Sequence, residues 1–379
     1  MSKPILINNA RILTEKGLVP GSVLCENGVF TAVGQVNAPE NAQCADAEGR
    51  ILAPAFLDLH THGAANVDVN EGRVEGILEI ARFFAKNGVG GWLCSILTDT
   101  EEQTLKCIEA ICTAMEHPDG ANIMGIHLEG PFLSHHFAGA MPRHLLRDGD
   151  LELIKRYQAA AKGNIRSITL APELPGMLEI IPELSKMMLV CIGHSNATYD
   201  EAMAAIEAGA GCITHTFNAM RPFHHHEPGI TAAAIESDVY CETIYDGLHL
   251  HPATIRMLLK AKGMERLVPV TDSIMATGLP DGFYKLGVND IVVKDGDARL
   301  RDKDVRAGST LVTTKGLKNL LSFTRLPIAD VLLMMTRNPA KLLNIYEARG
   351  RIAEGCRADF NLIDDDGSIA ATYILANKI

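Results

Sequence analysis

The sequence predicts an α/β protein built around a closed, parallel (β/α)8 barrel. Three observations carry that expectation. Eight short apolar runs rich in β-branched residues follow one another along the chain, at 53–59, 91–97, 122–128, 165–170, 189–192, 212–214, 240–244 and 267–270. Segments with helical periodicity separate most of them, and polar residues suited to chemistry recur just beyond the runs. In barrels of this kind the chemistry sits at the carboxyl ends of the strands.

The elements support this in order. The first run ends in His60-Thr61-His62-Gly63. Residues two apart on a strand face the same way, so two imidazoles converge where the strand ends, and neutral ring nitrogens there can hold a divalent metal. Val74, Ile77, Leu78, Ile80, Ala81 and Phe84 then repeat at helical spacing, as do Leu105, Ile108, Ile111 and Cys112. Asp99-Thr100-Glu101-Glu102 supplies the second helix with a cap and an acidic first turn. The third run leads into His127-Leu128-Glu129-Gly130-Pro131-Phe132, the fifth into Gly193-His194-Ser195, the sixth into Thr214-His215-Thr216-Phe217-Asn218-Ala219-Met220, and the eighth into Thr271-Asp272-Ser273. Glu129 could bridge two metals through its two oxygens, with His194 and His215 serving the second ion and Asp272 facing the water. His127 is expected to pack against a helix. His135, His136, His144 and His251 are expected as loop or helix-start residues outside the metal set.

The chain has 379 residues, more than the roughly 250 of a bare barrel. Residues 5–7 through 28–34 and residues 350–363 read as short strands and turns, so the two ends together are expected to form a second unit. The division is placed at 1–52 with 345–379 against 53–344, with boundary error of about two to four residues. Nine cysteines, an odd number without C-x-x-C spacing and mostly within apolar runs, read as buried thiols in a reducing compartment, hence a cytoplasmic protein. No basic start precedes an apolar segment, and no apolar run approaches the ~20 residues that span a bilayer, so neither secretion nor a membrane partner is expected. A net charge of −11 without a basic stripe argues against nucleic acid as a partner.

The motifs His60-Thr61-His62-Gly63, His127-Leu128-Glu129-Gly130-Pro131-Phe132, Gly193-His194-Ser195, His215-Thr216-Phe217-Asn218-Ala219-Met220, Glu227-Pro228-Gly229, Asp246-Gly247-Leu248-His249, Thr271-Asp272-Ser273 and Ala307-Gly308-Ser309-Thr310-Leu311 occur in that order across the chain. Together they resemble the N-acetylglucosamine-6-phosphate deacetylases of the amidohydrolase superfamily, and equally the closely related N-acetylgalactosamine-6-phosphate deacetylases. The resemblance implies a small β-sandwich built from both termini beside the barrel, and hydrolysis of the N-acetyl group of an N-acetylhexosamine 6-phosphate. It implies a divalent metal cofactor, and retention of both His60 and His62 favours two ions, with zinc fitting the nitrogen-rich donors and iron, cobalt or manganese compatible with them. Asp272 would take a proton from the attacking water and deliver it to the leaving nitrogen.

The resemblance further implies substrate contacts from Ala140, Met141, Asn218, Ala219, His226, His249, Ala307, Gly308 and Ser309, and a homodimer with a shared active site. Two positions depart from the family pattern. The usual Lys-Gly-Ala-His is Ala138-Gly139-Ala140-Met141 here, and the arginine before Glu-Pro-Gly, which in relatives reaches the neighbouring subunit's substrate, is His226. Histidine lacks arginine's bidentate fork and is charged only below a pKa of ~6.5. Arg143, Arg221 or the run His224-His225-His226 could compensate. The alternative is an amidohydrolase acting on an unphosphorylated or otherwise substituted N-acyl compound. A catalytically silent scaffold is disfavoured, because the whole metal set and Asp272 are present.

Overall fold

The computed structural model describes residues 3–379; Met1 and Ser2, with which the expected amino-terminal segment begins, lie outside the described residues. Eight parallel strands, Phe56–Thr61, Val89–Leu97, Asn122–Glu129, Ile165–Leu170, Leu189–Ile192, Ala210–Ile213, Tyr240–Ile244 and Leu267–Val270, pair in chain order. The ring closes where the Asp272 N–H donates to His60 O at 2.9 Å and Thr61 bridges to Ser273. Leu57, Leu93, Met124, Cys191, Cys212, Ile244 and Val268 form one apolar cluster drawn from seven of the eight strands. Side chains from all round a ring meet only inside it, so the barrel is a filled core and its chemistry is confined to the rim.

Helices cover the outside. Val74–Lys86 buries Ile77, Ile80, Ala81 and Phe84, and Phe84 packs edge-on against Trp92 of the second strand at 5.0 Å between ring centroids. Burial of such a side chain is worth roughly 1.5–3 kcal/mol. Glu101–Glu116 begins at Thr100, whose hydroxyl accepts from Gln103 N, with two glutamates in the first turn as the sequence leads one to expect.

The run expected as one strand over 53–59 is two. Ile51–Pro54 pairs with Phe360–Ile363 and with Arg11-Ile12 in a separate sheet, and Phe56–Thr61 opens the barrel. Both pieces are buried on both faces, so no alternation marks the change of sheet. The two termini build one mixed eight-stranded sheet, with Phe30, Phe360 and Tyr373 in its core and the last two rings stacked at 4.5 Å. In its long strand Ile5–Thr14 an irregularity after Ile7 lets the first half pair with Gln43–Asp46 and the second with Ile51–Pro54.

A three-stranded antiparallel sheet, Gly282–Leu286, Asn289–Lys294 and Asp297–Leu300, is inserted after the eighth strand and was not anticipated from the sequence. Its apolar face joins Leu97, Leu133 and Met141 through Leu286, Ile291 and Val293, which lays it over the carboxyl-terminal rim. Asp68 accepts the Gly287 N–H at 2.7 Å and Asn289 donates to Ala140 O at 2.8 Å, tying the insert to the barrel loops. All nine cysteines are free thiols, eight of them buried. Among the described residues no helix is long and apolar enough to cross a membrane.

Candidate metal centre and substrate cavity

Four imidazole Nε2 atoms converge on one carboxylate at the rim. His60 and His62 Nε2 lie 3.1 Å apart and 3.4 and 3.3 Å from the two oxygens of Glu129. His194 and His215 Nε2 lie 3.1 Å apart and 3.1 and 3.3 Å from Glu129 Oε1. The five residues form two overlapping groups able to hold an ion, His60-His62-Glu129 and Glu129-His194-His215, all buried. Asp272 Oδ1 stands 3.3 Å from His62 Nε2.

Second partners fix the rings. His62 Nδ1 meets Ser95 O at 3.2 Å and His194 Nδ1 meets Phe137 O at 2.9 Å, so each Nδ1 carries a proton and each Nε2 is the nitrogen turned toward its neighbours. Glu242 Oε2 holds His60 Nδ1 at 3.2 Å and accepts the His215 backbone N–H at 3.3 Å, so one buried carboxylate orients a ligand from each group. Lone pairs 3.1 Å apart repel unless a proton or a cation lies between them, and this donor set fits a divalent metal pair.

Without a cation, the charges in the cluster answer one another. Burial alone would push the His62 imidazole down, but Asp272 and Glu129 carry it up to about 9. His60 rises well above its ordinary range against the same burial penalty, chiefly through Glu129. Burial would raise the Glu129 and Asp272 carboxyls, yet neighbouring histidines, His60 foremost, hold both below the usual carboxylate range. Burial lifts the Asp58 carboxyl to about 7; it accepts the Thr271 hydroxyl at 2.7 Å and so ties the first strand to the eighth beside Asp272.

The backbone is strained here. His194, His215, Phe217, Ala219 and Asp272 have φ of 47°, 26°, 76°, 47° and 51°. Non-glycine residues in this region cost on the order of 1–3 kcal/mol each, and such positions persist where surrounding structure over-determines them. Asp272 is pinned on both sides, its N–H to His60 O and its carbonyl accepting Ser309 N–H at 2.7 Å. Gly308 also has φ of 59°, and a Cβ there would meet Ile274 Cγ2 at 2.3 Å.

A cavity of about 280 Å³ opens over the cluster. Ala140, Met141, Asn218, Ala219, His249, Ala307 and Gly308 line it beside His62, Glu129, His194, His215 and Asp272. His249 Nδ1 is held by Asp246 at 2.6 Å, which leaves its Nε2 for the cavity. Ser309 lies behind the wall, donating to Thr271 O. His226 is exposed and stands outside the lining, its ring 4.0 Å from that of His225. Arg143 is exposed and Arg221 is committed to Asn196 O and Glu227; neither lines the cavity.

One expectation requires correction. His127 does not pack against a helix: it is two residues from Glu129 on one strand, so it shares the inward face. Its ring bonds Ser167 and Thr169 at 2.7 and 3.1 Å, and burial together with His60 pushes it well below its ordinary range, so it is a neutral strut rather than a ligand. His136 lies in a loop and outside both metal groups, as expected, and lines the cavity, and His251 caps the helix Pro252–Lys262. Sequence reasoning also missed Glu242, Asp58 and Arg306. The first two carried a signal, a carboxylate inside an apolar strand.

The amidohydrolase family model matches residues 51–378. The chain is 31% identical to the N-acetylglucosamine-6-phosphate deacetylase of Bacillus subtilis, over 100% of this chain and 97% of that protein. It is 33% identical to the N-acetylgalactosamine-6-phosphate deacetylase of Escherichia coli O157:H7, over 96% of each. The N-acetyl-D-glucosamine-6-phosphate deacetylase of Mycobacterium smegmatis, solved in complex with N-acetyl-D-glucosamine-6-phosphate, superposes with a TM-score of 0.93 at 32% identity, covering 100% of this chain and 99% of that one. The chain belongs to the amidohydrolase family, and within it to the branch that contains the N-acetylhexosamine-6-phosphate deacetylases.

Proposed function

We propose that this protein removes the N-acetyl group of an N-acetylhexosamine 6-phosphate, N-acetylglucosamine 6-phosphate before its galacto epimer, to give the amino sugar phosphate and acetate. The observation that carries the reading is the convergence of His60, His62, His194 and His215 on Glu129 beside Asp272, in a chain of this family. In this reading His60, His62 and Glu129 hold one divalent ion and Glu129, His194 and His215 the other, zinc being the best match to the donors. Such ions supply Lewis acidity, lowering the pKa of water and polarising a carbonyl oxygen.

The residues of the chain do the rest. Asp272 accepts a proton from water as its oxygen bonds to the acetyl carbon, and returns it to the sugar nitrogen as the carbon–nitrogen bond breaks, so the amine leaves neutral. Buried Glu242, Ser95 O and Phe137 O keep the imidazoles in the tautomer that leaves Nε2 free. Asn218, Ala219, Ala307 and Gly308 form the walls that place the amide, and His249 offers Nε2 to the remainder of the sugar. The proposal includes a cytoplasmic homodimer in which His226 approaches the partner's cavity, and a division of the chain at Ala55, two residues beyond the expected boundary.

Deacetylation of N-acetylglucosamine, N-acetylgalactosamine and their 6-phosphates by the metal-loaded protein tests the reading. The expected order puts the two 6-phosphates first. Hydrolysis of none of the four would refute it, and a preference for the free sugars would move the chain to the alternative substrate class.

A further inference from the structure

Arg306 is the only lysine or arginine that lines the cavity among the described residues. Its guanidinium is held in one orientation: Nε and Nη2 donate to the two oxygens of Asp297 at 2.9 and 3.1 Å, and Nη1 makes no hydrogen bond within the described protein. Asp297 is shared with Arg299, which also reaches the exposed Asp304. Burial would raise the Asp297 carboxyl, but the two arginines hold it below the usual range, so it stays an anionic buttress.

The arginine is also fixed relative to the chemistry. It follows the inserted sheet, bridges back to Arg299, and is followed by Ala307, whose N–H donates to Ala298 O at 3.1 Å. Three residues on, Ser309 N–H holds the carbonyl of Asp272. The carboxylates of the cavity, Glu129 and Asp272, belong to the metal cluster, so neither answers Arg306, whose guanidinium keeps a spare N–H edge on the cavity wall. An uncharged substrate would leave the Nη1 edge without an anionic partner, whereas an anion would satisfy it.

We propose that Arg306, positioned by Asp297, is the cation of this chain that binds the anionic group of the substrate, a phosphate monoester under the function proposed above, on which this inference rests. Met141 carries no charge and the exposed histidines 224–226 stand outside the lining, so Arg306 supplies the cation from within this chain.

The test compares kcat/KM for N-acetylglucosamine 6-phosphate and for N-acetylglucosamine in the metal-loaded protein and four variants. Arg306→Gln lowers the ratio of the two at least tenfold, mainly through KM for the phosphorylated sugar. Arg306→Lys lowers it less, since it keeps the charge and loses the fork. Asp297→Asn moves the ratio in the same direction, with KM rising more than kcat falls, as a positioning role requires. Lys294→Gln removes a cation from the same sheet but outside the cavity and leaves the ratio within twofold. An unchanged ratio in Arg306→Gln, or an equal fall in Lys294→Gln, would overturn the assignment. A wild-type protein that deacetylates both sugars equally well would overturn it while leaving the deacetylase reading intact. Activity on neither these two sugars nor their galacto epimers would overturn both.

Discussion

The metal end of the cavity and its substrate end are built to different standards. At the metal end His60, His62, Glu129, His194, His215 and Asp272 are each at most 6% exposed, and three of the four imidazoles have an acceptor on Nδ1. Elsewhere on the cavity wall Arg306 is half-buried, Met141 is apolar and His136 is exposed, and the histidine run 224–226 stands in solvent outside the lining. The first region fixes a reaction and tolerates little. The second fixes which molecule is presented to it, and can change a residue at a time on a loop or an inserted hairpin without disturbing the core.

The largest effect expected from breaking the metal end comes from Asp272→Asn. It keeps the shape of the side chain but cannot move a proton, so kcat falls by about 10²-fold or more with metal content preserved. Near-normal turnover in the metal-loaded variant would remove Asp272 from its role. Glu242→Gln comes next. Because Glu242 orients His60 and the His215 backbone together, the variant weakens metal retention by about 10–100-fold, read by chelator competition, and does so for both ions. A loss confined to one ion would show that Glu242 serves a single group.

The same contrast explains what was legible in the sequence. His60, His62, Glu129, His194, His215 and Asp272 each lie within three residues of the end of an apolar run, so strand period and barrel geometry placed them together before any contact was known. Glu242 and Asp58 lie within runs, where a lone carboxylate was the only sign that the inner face is polar near the rim. The inserted sheet had a turn signal, Asp295-Gly296 between alternating segments, that a search for barrel units passes over. Arg306 had none: its place on the cavity wall exists only once that sheet folds over the rim. The split at Pro54 was hidden because burial on both faces erases periodicity.

A smaller effect probes the tie between the two regions. Asp68 accepts N–H groups from Asn70 and from Gly287 of the insert, and burial raises its carboxyl to about 6, with Glu71 and His62 as charged neighbours. A carboxyl whose folded value exceeds its unfolded one binds more protons when folded, so its contribution to stability falls as pH rises from about 4 through about 6. The Tm difference between wild type and Asp68→Asn should therefore change across that interval, by about 1 °C for each kcal/mol of differential stability in a chain of this length. A difference constant from pH 4 to pH 7 would contradict the buried, proton-binding state of Asp68.

The central claim, that Glu129 is the shared ligand of two cations, is tested most directly by counting metal. Elemental analysis after gentle purification should approach two ions per chain, and His60→Ala should lose one of them preferentially while His194 and His215 retain the other. At most one tightly bound ion per chain, unaffected by His60→Ala, would contradict the bridged pair.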